Sequence, residues 1–90
     1  MSLDAMEKSI HSAHYSVFLK VLRQARVHAG LTQEQLARRI RETQTFVSKC
    51  ERGERRVDVV ELRRFCQAYG ITLKQFVLKL EMTLSNAKRP

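Results

Sequence analysis

Apolar residues recur along this chain at intervals of three and four, which is the spacing of a helix face, and no segment shows the alternation of a strand. Residues 13–29 are predicted to form helix 1. Its apolar face consists of Tyr15, Phe18, Leu19, Leu22 and Ala25, and its polar face of Lys20, Arg23 and Gln24. We therefore expect a helix with one buried and one solvated side.

Two short helices are predicted next, helix 2 over residues 33–40 and helix 3 over residues 44–52. Thr32 and Gln35 have the spacing of a capping box, which opens a helix at a definite residue. Thr43 can cap helix 3 through its hydroxyl, and Gly53 can end it because glycine adopts the left-handed conformation without a Cβ penalty. The expected inward residues are Leu36, Ala37 and Ile40 in helix 2 and Val47 and Cys50 in helix 3.

Two further capping boxes, Asp58 with Glu61 and Thr72 with Gln75, open helices 4 and 5. The apolar positions of helix 4 are Leu62, Phe65, Cys66 and Tyr69, and those of helix 5 are Leu73, Phe76, Val77, Leu80 and Leu84. The predicted fold is therefore all-α, a compact five-helix bundle. We expect residues 1–11 to be a flexible N-terminal segment, residues 12–85 the folded domain and residues 86–90 a basic tail.

Charge narrows the function classes. The 17 Lys and Arg against nine Asp and Glu give a formal net charge of +8, which favours a polyanionic partner such as DNA, RNA or an acidic membrane. No apolar run exceeds three residues, so we expect a cytoplasmic protein without a membrane span or signal peptide. Cys50 and Cys66 fit reduced core thiols. No metal, cofactor, small-molecule ligand or enzyme activity is predicted, and His11 with His14 is interpreted as a surface pair.

The segments AGLTQEQLA, QTFVSK and ERGERR follow one another at residues 29–37, 44–49 and 51–56. In this order and spacing they resemble the phage-repressor-like, XRE or Cro-type helix-turn-helix family. The resemblance covers about residues 16–80 and implies a five-helix domain of the lambda-repressor-like type. It also implies operator binding, usually as a homodimer, with helix 3 in the major groove.

Matched position by position, the resemblance assigns separate roles within this segment. Thr43, Gln44, Thr45 and Lys49 correspond to base-reading positions, and Gln33 corresponds to a phosphate-binding position. Arg52, Arg55 and Arg56 resemble clamps on the DNA backbone. Phe46 and Ser48 are possible further contacts, although Phe46 could instead pack at the turn. Glu51 is expected to be structural and not DNA-facing, because a carboxylate near phosphates would repel them unless it is paired with a nearby arginine.

The turn departs from the family pattern at two positions. Arg41 stands where glycine is frequent, so either Arg41 is left-handed at a cost of about 1 kcal/mol or the turn is built differently. Glu42 stands where many members have an apolar residue. The tilt of helix 3 depends on how these two residues are accommodated.

The favoured hypothesis is a sequence-specific, double-stranded DNA-binding regulator, more readily a repressor than an activator. The long apolar stripe of helix 5 predicts a homodimer interface at Phe76, Val77, Leu80 and Leu84. The alternative is an antitoxin-like or adaptor module that binds another protein, with secondary or no DNA binding. RNA binding is a third hypothesis.

Overall fold

A computed structural model describes residues 13–87, and in this range the chain forms five helices and no strand. They are α1 (Ala13–His28), α2 (Gln33–Arg39), α3 (Gln44–Arg52), α4 (Val59–Tyr69) and α5 (Leu73–Ala87). The predicted all-α class is confirmed. The ends of α1 and α2 each lie one residue before the predicted position, and α5 extends through Ala87, beyond the predicted start of the tail.

Side-chain caps explain where the helices begin. The Gln35 N–H donates to Thr32 Oγ1 at 3.1 Å, and the Thr32 N–H donates to Gln35 Oε1 at 2.9 Å, so the predicted capping box is formed. Reciprocal pairs of the same kind join Asp58 with Glu61 and Thr72 with Gln75. All three predicted boxes are therefore confirmed, and each fixes the register of the apolar face that follows it.

Each helix contributes at least one side chain of at most 1% exposure, and these side chains form the centre of the core. The largest from each helix are Leu22, Leu36, Val47, Phe65 and Phe76, in order from α1 to α5. The Phe18 and Phe76 rings meet edge to face at 5.9 Å and join α1 to α5. Helices α2 and α3 pack against each other, and the pair rests on α1 through α3 and on α4 through α2, so it is presented as one unit.

The α2–α3 turn contains Arg41 in the left-handed conformation, with φ of 58°. The Glu42 N–H donates to the Ala37 carbonyl at 2.9 Å, which closes the turn. The turn thus keeps a glycine-type backbone with an arginine in it. Among the described residues, no other non-glycine residue has positive φ.

Replacing Arg41 with glycine should stabilise the protein by about 0.5–1 kcal/mol, because the Cβ that disfavours this conformation is removed. Urea denaturation gives the change in the free energy of unfolding. Arg41→Ala removes the same charge but retains the Cβ, so it should bring no such gain. Arg38→Gly, inside α2, should destabilise by about 1 kcal/mol. An equal gain from Arg41→Ala would assign the effect to charge instead.

Candidate nucleic-acid interface

Helix α3 turns one narrow apolar edge inward and leaves an opposite polar surface exposed. Val47 and Cys50 are fully buried, and they are three residues apart. Gln44, Thr45 and Lys49 are exposed. We call these three residues the recognition surface. Thr43, whose hydroxyl accepts from the Phe46 N–H at 3.0 Å, is the cap of α3 and is exposed beside this surface.

A buried ion pair connects the end of α3 to α1. Arg26 Nε donates to Glu51 Oε2 at 2.7 Å and Arg26 Nη2 donates to Glu51 Oε1 at 3.1 Å, while Arg26 Nη1 donates to the Leu31 carbonyl at 2.9 Å. The two side chains are 11% and 4% exposed. Glu51 therefore has a structural role, as expected, and its partner is Arg26. Arg26 itself was missed, although it lies one helical turn after Leu22 on the buried side of α1.

The ion pair continues into a chain of side-chain amides that ends at the recognition surface. Gln33 Nε2 donates to Glu51 Oε1 at 3.0 Å, and Gln44 Nε2 donates to Gln33 Oε1 at 2.7 Å. We call Arg26, Glu51, Gln33 and Gln44 the polar chain. A carboxylate only accepts hydrogen bonds, so Glu51 fixes which end of the Gln33 amide faces it. Gln33 in turn fixes the amide of Gln44, whose Oε1 and second N–H remain for a ligand.

Arg55, after α3, is engaged by intramolecular hydrogen bonds. It makes a two-pronged contact with Glu61, at 3.0 and 2.7 Å, and donates to the Arg56 carbonyl at 3.0 Å, so three of its N–H groups are in use. Its guanidinium also stacks over the Phe46 ring at 4.6 Å. These hydrogen bonds hold the pKa of the Glu61 carboxyl below its usual value. Phe46 itself is half-buried against the core, with its ring 6.3 Å from that of Phe65.

Arg52 and Arg56, the other two predicted clamps, make fewer hydrogen bonds within the protein than Arg55 does. Arg52 donates to Glu54 at 2.6 Å and to the Ser48 hydroxyl, and its side chain is 53% exposed. Arg56 lies over the Tyr15 ring at 4.9 Å. Among the described residues, Arg56 makes no side-chain hydrogen bond, so its N–H groups remain open to an anion. The three predicted clamps thus differ in how many donors they can offer.

Two arginines near the turn hold backbone carbonyls. Arg39 Nη1 donates to the Ala68 carbonyl at 2.9 Å, and Arg64 Nη2 donates to the Ile40 carbonyl. Both therefore connect α2 to α4 near helix C-termini, where cations are favoured. These two arginines therefore have a structural role, and this part of the net positive charge requires no external anion.

The predicted interface on α5 needs one correction. Phe76 is only 1% exposed because it packs into the core against Phe18, so it offers no surface to a partner. Leu80 and Leu84 are half-buried, and Val77 is 43% exposed. The structure adds two apolar residues that the stripe did not include, Leu78 and Met82, at 62% and 57% exposure. Their spacing of four places them on one face of α5.

The thiols and the metal prediction can be stated for the described residues. Cys50 and Cys66 are free and fully buried, and burial raises the pKa of the Cys66 thiol to about 11. No group of three potential metal ligands occurs within residues 13–87. His11 lies outside this range. No helix in the same range is long and apolar enough to cross a membrane.

The fold and the exposed α3 define a helix-turn-helix domain, and residues 17–75 match a family model described as a helix-turn-helix domain. The chain is similar to an XRE-family like protein from Pseudomonas syringae pv. tomato str. DC3000. Sequence identity with that solved structure is 44%, the TM-score is 0.74, and the match covers 86% of this chain and 94% of that chain. No protein of curated function matches. The chain belongs to the XRE-type helix-turn-helix family, which supports a DNA-binding regulator.

Proposed function

We propose that the protein is a sequence-specific regulator that binds double-stranded DNA with α3 in the major groove and acts as a repressor. The observation that carries this proposal is the fixed amide of Gln44. With one N–H held by Gln33, the amide still offers Oε1 as an acceptor and its second N–H as a donor. Adenine presents the complementary pair, N6–H and N7, in the major groove.

The neighbouring exposed side chains supply different chemistry. Lys49 can donate to guanine O6 and N7, and the methyl groups of Thr43 and Thr45 can pack on thymine. Repression needs only that a bound operator overlaps the site at which polymerase binds. The function therefore requires no surface beyond the one that touches DNA and the one that forms a dimer.

A homodimer would place two copies of α3 on a two-fold operator, with half-sites about 34 Å apart. The exposed apolar residues of α5 support this assembly, because Val77, Leu78 and Met82 are all large and between 43% and 62% exposed. We therefore place the dimer surface at these residues, with Leu84 at its edge. A strictly monomeric mass at high micromolar concentration, with and without DNA, would contradict it.

Selection of bound duplexes from a random pool tests the proposal directly. Enrichment of one motif, repeated with two-fold symmetry at the spacing of one helical turn, is the expected result. Enrichment of a single half-site would retain specific binding and remove the dimer. Failure to enrich any motif would move the function to the alternative, a protein-interaction module, for which the exposed α5 face would be the binding surface.

Arg56→Ala should weaken binding to every duplex more than Arg55→Ala does. Arg56 has its donors open, whereas Arg55 is already bound by Glu61. Because a phosphate contact releases about one counterion, Arg56→Ala should also reduce the slope of log affinity against log salt by about 1. Fluorescence anisotropy at several salt concentrations measures both effects.

Glu61→Gln is the matched control for this comparison. It weakens the hold on Arg55 and should strengthen binding to all duplexes, because the guanidinium becomes available to phosphate. If Arg55→Ala costs more than Arg56→Ala, Arg55 leaves Glu61 to bind DNA, and the assignment of the main clamp to Arg56 is wrong.

A further inference from the structure

A cavity of about 270 Å³ lies between the second half of α1 and the α4–α5 corner. An apolar cavity of about 150 Å³ already binds benzene. Pockets for drug-sized ligands begin at about 300 Å³. This cavity therefore has room for one substituted ring or a short branched chain.

Small side chains in α1 and directly after its end create the space. Ala25 and Ala29 line the cavity where larger residues would fill it. The other apolar walls are Val21, Ile71 and Phe76, of which Val21 and Phe76 are 2% and 1% exposed. The floor of the cavity is therefore part of the packed core, and the apolar body of a ligand would be removed from water there.

The mouth of the cavity carries positive charge. Its exposed lining residues are Gln24, His28, Gln75 and Lys79. None of the described residues that line the cavity is acidic. Lys79 supplies an ammonium group with three N–H donors, and His28 supplies a second nitrogen group that can donate a hydrogen bond. An anionic head group at the mouth would thus meet no opposing carboxylate.

Tyr69 lines the cavity, but its hydroxyl is buried in the interior. The residue is 7% exposed, and within the described part of the chain its hydroxyl has no hydrogen-bond partner. Burial raises the pKa of Tyr69, so the group is a neutral donor at physiological pH. Because this oxygen exposes less than 1 Å², Tyr69 offers a ligand in the cavity apolar surface and no hydrogen bond.

We propose that this cavity binds a small amphipathic monoanion, an aromatic or branched carboxylate about the size of phenylacetate. The apolar body would lie against Ala25 and Ala29, and the carboxylate would face Lys79. The site lies away from the recognition surface, so its existence does not depend on the proposed DNA binding.

Titration of the full chain with phenylacetate and with indole-3-acetate, followed by amide chemical shifts in NMR, tests the proposal. We expect saturable shifts concentrated in residues 21–29 and 69–79. Phenylacetamide has the same shape without the charge and should bind several-fold more weakly. No saturable shift with either carboxylate would overturn the proposal, and equal binding of the amide would overturn the assignment of the anion.

Three variants locate the site. Ala25→Met should abolish the shifts by filling the cavity, and circular dichroism checks that this variant is folded. Lys79→Gln should bring the affinity for phenylacetate down to that for the amide. Lys74→Gln, exposed on the same helix but outside the lining, should leave both unchanged. If Ala25→Met does not fold, the two lysine variants decide. Binding that survives in a folded Ala25→Met variant contradicts the proposed location of the site. An equal loss of affinity in Lys79→Gln and Lys74→Gln contradicts it as well.

Discussion

Glu51→Ala should destabilise the protein by about 3–5 kcal/mol, because it leaves Arg26 charged and buried without its partner. The Glu51 side chain is 4% exposed and that of Arg26 is 11% exposed, so water cannot readily replace the lost contacts. A small domain has a total stability of about 5–15 kcal/mol. The variant should therefore unfold at a much lower urea concentration, as followed by circular dichroism.

Two controls separate the buried pair from charge in general. Glu54→Ala removes the partner of Arg52 in a pair that is more than half exposed, so the urea midpoint should stay near that of the parent protein. The double variant Arg26→Met with Glu51→Met removes both charges and should recover much of the stability. If Glu51→Ala costs no more than Glu54→Ala, the pair does not hold α3 to α1.

Gln44→Ala should cost about 1–3 kcal/mol of discrimination between the selected operator and variants at one base pair. Since 1.4 kcal/mol corresponds to a tenfold change, the preference should fall by about 5- to 150-fold. Affinity for random duplex should change little, because that affinity comes mainly from phosphate contacts. Competition binding with single-position variants of the operator measures the effect.

Gln33→Leu tests whether the polar chain orients the Gln44 amide for base recognition. This change leaves the Gln44 amide in place but frees it to turn, so specificity should fall at the same base pair as in Gln44→Ala, by a smaller factor. Lys74→Ala, on α5, should not alter specificity. An equal loss on every duplex from Gln44→Ala and Gln33→Leu would show that both residues act on the phosphate backbone, and the base-reading assignment would be wrong.

The sequence predicted α3 to the residue because both of its ends are local signals. Thr43 caps the start through its own hydroxyl, and Gly53 ends the helix with φ of 79°. The inward edge, Val47 and Cys50, follows once these ends are set. Arg41 was predicted only in part, since its left-handed conformation was one of two options that the sequence left open. Features that depend on three or four neighbouring residues could thus be predicted.

Features that depend on partners distant in the sequence could not be predicted. Arg26 meets Glu51 across 25 positions of sequence, and the helical pattern of α1 alone does not say that a charged residue belongs on the buried side. Phe76 was placed on a surface because its stripe continues to Leu84, but periodicity gives a face and not the depth to which neighbours cover it. The engagement of Arg55 by Glu61 likewise arises from tertiary contact.

Under the proposed base reading by Gln44, the polar chain makes operator preference a property of the interior as well as of the surface. The donor and acceptor that Gln44 presents are set through Gln33 by a carboxylate whose position is held from α1. Substitutions at Arg26 would then alter which operators are tolerated without touching DNA. Regulators that contain such a polar chain would change their target sites during evolution through substitutions at core positions. A comparison of recognition helices alone would overlook those substitutions.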